Sequence, residues 1–378
     1  MGNYTPLGGK IWTKPFKVLT VLALIGGVLI LKRFLFGLGS VTNLNDGYPW
    51  GLWIVYDVVT GTAIACGGYA MALLVYIFNR GQYHSLVRSA LVTSLFGYTL
   101  AGLAIFIDVG RYWQLHNVFI PPYANPNSVM FEVATCISLY IIVMWIEFSP
   151  TYFEHKQNTV TVQRLNKIMF FFIALGVLLP TMHQSSLGSL MIAMGEKLSP
   201  LWQTRFIPLL FLITAITMGY AIVIFESIFS AVNFKRPIEI KMLSRLSRLI
   251  PILTVIYLVF RFGVIIWNGD FGLIFKFDLN SLMFLIEIIF FLIPTIMLFS
   301  EEKRKSPRYL FISAVFFLLA GSLYRFDTFL VAFNPGHGYI YFPAAQEILI
   351  TVGIIAFELM LYLIFVKRLP VYPDIKHA

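Results

Sequence analysis

The chain has 378 residues, of which 58% are hydrophobic and only 12% charged, and its mean hydropathy is +0.81. An ordinary soluble domain carries about 25% charged residues, so these proportions exclude that class and predict an all-α integral membrane protein. The net charge of +10 does not point to nucleic acid, because the basic residues lie in short connections between apolar runs, where they orient a membrane protein.

A helix needs roughly 20 mostly apolar residues to cross the hydrocarbon core. Ten segments meet that rule, at 17–36, 50–79, 87–110, 128–149, 166–185, 204–230, 249–268, 279–300, 308–331 and 344–366. The first follows Lys10, Lys14 and Lys17, is too long for a signal-peptide core and lacks a small-residue cleavage pattern, so it reads as a retained span. Within a single membrane domain over 1–378, residues 50–185 are expected to form one four-helix bundle and 204–331 a second, with 17–36 and 344–366 flanking them. The connections are shorter than about 20 residues, too short to bury a core of their own. Twenty of the 28 Lys and Arg fall on the side of the N-terminus, a tally that includes Lys376; seven fall opposite, and Arg261 lies inside a span. Such asymmetry predicts both termini in the cytoplasm.

Polar residues then recur at the ends of four consecutive spans. Asp57 follows the aromatic stretch YPWGLW, IDVGRYW carries Asp108 and Arg111 three apart on one expected helical face, and NSVMFE puts Glu132 one turn into the fourth span. The fifth span closes on LLPTMHQSSLGSL, with Thr181, His183, Gln184 and Ser185 expected at the helix end and Pro180 and Gly188 bending it. In the predicted topology all of these share one depth on the extracytoplasmic side. Each costs a few kcal/mol against insertion. A neutral His beside carboxylates, roofed by Trp50, Trp53, Tyr112 and Trp113, suits a flat ligand with a polar head and an apolar tail, a description that fits a quinone. The competing reading is an ion-pair network tying helices together. Glu147, about four turns below Glu132 at 1.5 Å per residue, would extend a carboxylate ladder across the span for proton movement. For Arg261, Glu287, Arg325, Asp327 and Glu347 in the later spans, pairing of Arg261 with Glu287 and of Arg325 with Glu347 is the expectation.

The cofactor possibilities narrow by residue type. Of six His, only His183 falls near a span interior, since His84, His116, His155, His337 and His377 are in connections or the tail, which speaks against a bis-histidine haem. No metal-ligand spacing occurs, and Cys66 and Cys136, far apart in apolar runs, offer neither a disulfide framework nor iron–sulfur ligation.

The stretches PLGGKI, RFLFGLGSVTNLNDGYPWGLWI, ACGGYA, VYIFNRGQYH, IDVGRYW, NSVMFE, LNKIMFFFIALGVLLPTMHQSSLGSLM and LVAFNPGHGYIYFP cover nearly the whole chain. They resemble the NrfD, or polysulfide reductase membrane subunit, family, and within it the HybB-type subunits of respiratory nickel–iron hydrogenases. IDVGRYW keeps Asp108 and Arg111 of the family's LDLGRP-like motif but not its proline. The resemblance implies two four-helix bundles with flanking helices in the bacterial inner membrane, without haem or an iron–sulfur cluster in the chain. It implies menaquinone or ubiquinone near the extracytoplasmic face, with Asp108, Arg111 and His183 lining the headgroup pocket and Glu132 connecting it to a proton route; the reading of the residues adds Trp53 and Asp57 to the quinone contacts, makes His183, Asp108 and Glu132 the proton-transfer groups and extends the route from Glu132 to Glu147. It further implies a ferredoxin-like iron–sulfur subunit docked on the periplasmic face and nickel–iron hydrogenase large and small subunits beyond it. Ten spans with buried charges also leave open a secondary transporter or a passive membrane anchor, although interrupted half-helices at matching positions, a common transporter sign, are not evident.

Overall fold

In the computed structural model the described residues are 4–374; Lys376 and His377 lie outside them. Among the described residues, ten helices long and apolar enough to cross a membrane follow one another: α1 Lys14–Phe36, α2 Trp53–Ile77, α3 Gly81–Asp108, α4 Val129–His155, α5 Thr159–Ala193, α6 Ile207–Asn233, α7 Ile240–Trp267, α8 Leu279–Phe299, α9 Pro307–Val331 and α10 Ala345–Arg368. The chain is therefore an all-α multi-pass membrane protein, as its composition requires. Helices are the economical solution because every backbone N–H and C=O within the hydrocarbon must be satisfied inside the segment. The same rule governs hydroxyls within spans: Thr20, Thr214, Thr217, Thr254 and Thr295 each donate to the carbonyl four residues earlier.

Local sequence sets several boundaries. The Ser128 side chain accepts the Phe131 N–H at the start of α4, and Asp278 accepts the Ser281 N–H at 2.8 Å to open α8. Proline stands in the first turn of α1, α6 and α9, where its missing N–H costs nothing. Gly269, in the left-handed region at φ 79°, follows the end of α7. The helices are not uniform, however. Trp53–Thr60 of α2, Leu73–Ile77 at its other end and Asp327–Val331 of α9 are wound as π-helix, a form concentrated at functional positions.

The described chain forms two compact units. Of the described residues, the first comprises those up to Thr62, Leu91–Gly176 and those from Pro335 onward. In it α1 lies along α10, and α10 packs on the π-wound start of α2. A short ladder, β1 Tyr4–Thr5 with β2 Tyr372–Pro373, joins the two ends of the described chain. The second unit comprises Ala63–Ala90 and Val177–Asn334, where α9 packs on α6 and α8, and α6 also contacts α7 and the later part of α2.

Close backbone approach explains the α1–α10 pairing. A Cβ on Gly26 would stand 2.8 Å from the Gly353 Cα, and one on Gly353 would stand 2.7 Å from the Gly26 Cα. Small residues let membrane helices gain dispersion contact where lipid offers no hydrophobic drive. Gly353→Leu is therefore expected to separate the two helices and cost about 1–3 kcal/mol or more from overpacking, read as a lowered Tm of the detergent-solubilised protein.

Candidate functional site

In the first unit a polar constellation gathers around the beginning of α2. Asp57 sits in the π-helical turn, 7% exposed, and its Oδ2 accepts a hydrogen bond from the Thr351 hydroxyl of α10 at 2.9 Å. Asp108 and Glu358 are the carboxylates within electrostatic reach of Asp57. Asp108 is the last residue of α3, and its Oδ1 is buried with no hydrogen-bond partner among the described residues. A buried acceptor left open in this way is costly and calls for a ligand, a proton or a water.

Glu347, in the first turn of α10, organises the surroundings. Its Oε1 accepts the backbone N–H groups of Asn43 at 2.7 Å and Ala344 at 3.0 Å, while its Oε2 accepts the Tyr341 hydroxyl at 2.5 Å. The Tyr341 oxygen in turn accepts the Leu52 N–H at 2.8 Å, and the Trp53 indole donates to the Glu347 carbonyl at 3.1 Å. Burial and the hydrogen bond to Glu347 hold the Tyr341 phenol above its ordinary range, so it remains a donor.

Arg33 of α1 completes the cluster. It is 1% exposed, donates to the carbonyls of Ile107 and Val109, both at 2.5 Å, and its guanidinium lies 4.7 Å from the Phe34 ring and 5.2 Å from that of Tyr112. Asp108 is the charged group facing it.

Several expectations change. Arg111 does not share a helical face with Asp108: α3 stops at Asp108, and Arg111 (φ −100°, ψ 64°) precedes a separate 3₁₀ segment, exposed. The GRYW turn breaks the helix there, and Arg33 takes the position beside Asp108 that spacing had assigned to Arg111. Glu347 does not pair with Arg325; Tyr341 and two backbone amides occupy it. Of the expected aromatic roof, Trp50 and Trp53 are buried, Tyr112 packs edge-on against Phe34, Phe106 and Trp113, and Trp113 is exposed. Glu132 lies half-buried in the first turn of α4. Glu147 sits farther along the same helix, its buried Oε1 lacking a hydrogen-bond partner among the described residues.

His183 belongs to the second unit. The stretch that carries it does not end its helix: α5 continues to Ala193, so His183 stands ten residues, about 15 Å, inside. Ser185, Ser186 and Ser189 fold their hydroxyls back onto carbonyls three or four residues earlier, which makes the polar run tolerable within a span. Gly188 serves packing, since a Cβ there would fall 2.7 Å from the Pro208 Cα. His183 is 1% exposed, and the charged group beside it is Arg325 rather than a carboxylate. Arg325 donates to Gln184 Oε1 at 3.2 Å, Thr214 Oγ1 at 3.0 Å and the Phe211 carbonyl at 3.0 Å. The expected Arg261–Glu287 pair does form at 3.6 Å, with Tyr257 and Trp202 donating to the same carboxylate at 2.6 and 2.9 Å.

The family model described as polysulphide reductase, NrfD matches residues 40–332, which include the start of α2, Asp108 and His183. The chain belongs to the NrfD family. Among relatives of this NrfD-family chain, the probable Ni/Fe-hydrogenase 2 b-type cytochrome subunit of Escherichia coli (strain K12) is 50% identical over 98% of the chain and 95% of that protein. The menaquinone reductase integral membrane subunit of Nitratidesulfovibrio vulgaris is 24% identical over 89% of the chain and 86% of that protein. The Hdr-like menaquinol oxidoreductase integral membrane subunit of Archaeoglobus fulgidus is 22% identical over 55% of the chain and 49% of that protein. The words b-type cytochrome in the first of these names raise the question of haem. The residues here do not fit a bis-histidine haem, because His183 is the single described histidine within a helix interior, while His84 and His155 occupy terminal turns and His116 and His337 lie in connections.

The Tyr341–Glu347 bond generates a direct test. Tyr341→Phe removes the donor to Glu347 and the acceptor for the Leu52 N–H, so we expect about 1–3 kcal/mol of destabilisation from the two unsatisfied groups, measured by thermal unfolding in detergent beside the unaltered protein.

Proposed function

We propose that the chain is the quinone-reactive membrane subunit of a respiratory oxidoreductase in the bacterial cytoplasmic membrane, both termini in the cytoplasm. Menaquinone or ubiquinone is its substrate, and electrons pass between that quinone and an iron–sulfur partner of ferredoxin type on the periplasmic face. A nickel–iron hydrogenase pair is the catalytic partner. The name of the E. coli relative supports the hydrogenase assignment and that of the N. vulgaris relative supports the quinone.

The observation that carries this reading is the pair of carboxyls at the Trp53–Thr60 π-turn: Asp57 held by Thr351, and Asp108 with one buried oxygen open. Quinone reduction takes two electrons and two protons, so a cofactor-free quinone site must position proton donors. Asp57 and Asp108 supply carboxyl groups on two different helices of one unit, and Arg33 sets a positive charge beside the carboxylate that Asp108 becomes once a proton leaves. The buried Trp53 ring, fixed by its hydrogen bond to the Glu347 carbonyl, offers an aromatic wall. Glu132 and Glu147, about 22 Å apart along α4 at 1.5 Å per residue, would carry protons along the first unit, a route through which turnover could also translocate them. Arg111 retains the role that the family resemblance implies for the headgroup, and His183, in the second unit, is tested separately on its own substitution.

The complex purified with its natural partners should reduce a menaquinone analogue with hydrogen. A positioned acid or base contributes about 10²–10⁴-fold, so Asp108→Asn, Asp57→Asn and Glu132→Gln should each lower turnover at least ~100-fold while partner subunits still co-purify. His183→Ala tests the imidazole in the same assay. Unchanged turnover in Asp57→Asn and Asp108→Asn would remove the site, and tolerance of all four substitutions would favour a passive anchor.

A further inference from the structure

A half-open groove of about 730 Å³ lies in the second unit, where the connection leading into α6 meets the last turns of α7. Its long wall is apolar, built by Val259, Phe260 and Val264 of α7, and its rim carries Arg205, Asn268 and Asp270. Val259 is 64% exposed, so the wall opens to the surroundings of the helix, which in a membrane means acyl chains. Trp267, 90% exposed, also lines the groove at its polar end, the level at which tryptophan marks the boundary between hydrocarbon and headgroups.

The rim charges are the informative feature. Arg205 and Asp270 line one groove with opposite signs, yet neither makes an ion pair or a side-chain hydrogen bond among the described residues. Two opposite charges that border a cavity without meeting suit a ligand carrying both signs. A guanidinium recognises phosphate by paired N–H donors, and a carboxylate recognises an ammonium. A purely anionic lipid would face Asp270 unfavourably, and a quinone headgroup, which has only neutral acceptors, would leave Asp270 without a counterpart.

The geometry points to a resident phospholipid of the phosphatidylethanolamine class, its phosphate on Arg205, its ammonium on Asp270 and one acyl chain descending along α7. Val259 lies eight residues before Trp267, about 12 Å along the helix axis, so the apolar wall begins where the headgroup ends. Gly263 keeps the floor open: a Cβ built there would meet nothing within 4 Å. That gives a substitution able to fill the groove without disturbing the helix that forms it. The inference is independent of the redox reading, since none of its residues belongs to the proposed quinone site.

The test uses the full chain purified with its partners in mild detergent, exchanged against an equimolar mixture of dioleoyl phosphatidylethanolamine and dioleoyl phosphatidylglycerol, with retained lipid counted by native mass spectrometry. We expect one phosphatidylethanolamine per chain, favoured at least tenfold over phosphatidylglycerol. Arg205→Gln should lower retention at least tenfold, Asp270→Asn should erase the preference between the two lipids, and Gly263→Phe should abolish retention at an unchanged Tm. Equal retention of both lipids by the unaltered protein, a quinone retained in the groove, or phosphatidylethanolamine still held by Gly263→Phe would each overturn the assignment. Should Arg205→Gln fail to assemble, Asp270→Asn and Gly263→Phe decide the matter by themselves.

Discussion

The Glu347 carboxylate is the interaction on which the first unit depends. It is 1% exposed and makes three hydrogen bonds, to the backbone of the segment after α1, to the backbone just before its own helix, and to Tyr341. A carboxylate so far from water survives because donors replace its hydration, two of them amide N–H groups, and that of Ala344 stands at the start of α10, where the dipole also favours negative charge. Through Tyr341 the same carboxylate fixes Leu52, and its own carbonyl fixes the Trp53 ring. The start of α2 is therefore held from outside the helix. That external hold permits the π-winding that follows, where backbone geometry alone would favour an α-helix.

What the π-turn achieves is the placement of Asp57. In a regular helix a polar residue five positions into a span would most easily turn toward the interface. Here it faces Thr351 across the unit, with Asp108 in electrostatic range. Arg33 makes the arrangement tolerable: it caps the carbonyls of Ile107 and Val109 where α3 ends and sets positive charge beside Asp108. The GRYW turn thus needs a partner from α1, which makes the first helix more than a flanking element.

The second unit handles buried charge by a different rule. Glu287 receives Tyr257, Trp202 and Arg261, and Arg325 is spread over a side-chain amide, a hydroxyl and backbone carbonyls. These networks join side chains from several helices and help to fix helix positions where packing alone is weakly specific. Asp327 departs from the pattern, since both of its carboxylate oxygens are buried without a hydrogen-bond partner among the described residues, on a π-wound turn of α9.

The sequence by itself determined the membrane class and the ten spans, because a hydrocarbon solvent leaves few ways to satisfy a backbone and each way leaves a run of apolar residues. It also marked Asp57, Asp108, Glu132, Glu147 and His183 as charged or polar groups in costly places. Partners were not legible. Helical spacing put Arg111 beside Asp108, but the chain breaks at that turn; it put His183 at a helix end, but serine hydroxyls satisfied within the helix let α5 run on to Ala193. Only the tertiary structure placed Arg33, Tyr341 and Glu347 around Asp57 and Asp108, from segments remote in sequence; Glu347 was marked as a buried charge, but with Arg325 as its expected partner. The reason is physical: insertion cost is a property of each residue and its neighbours along the chain, whereas the groups that compensate it come from other helices and depend on how those helices pack.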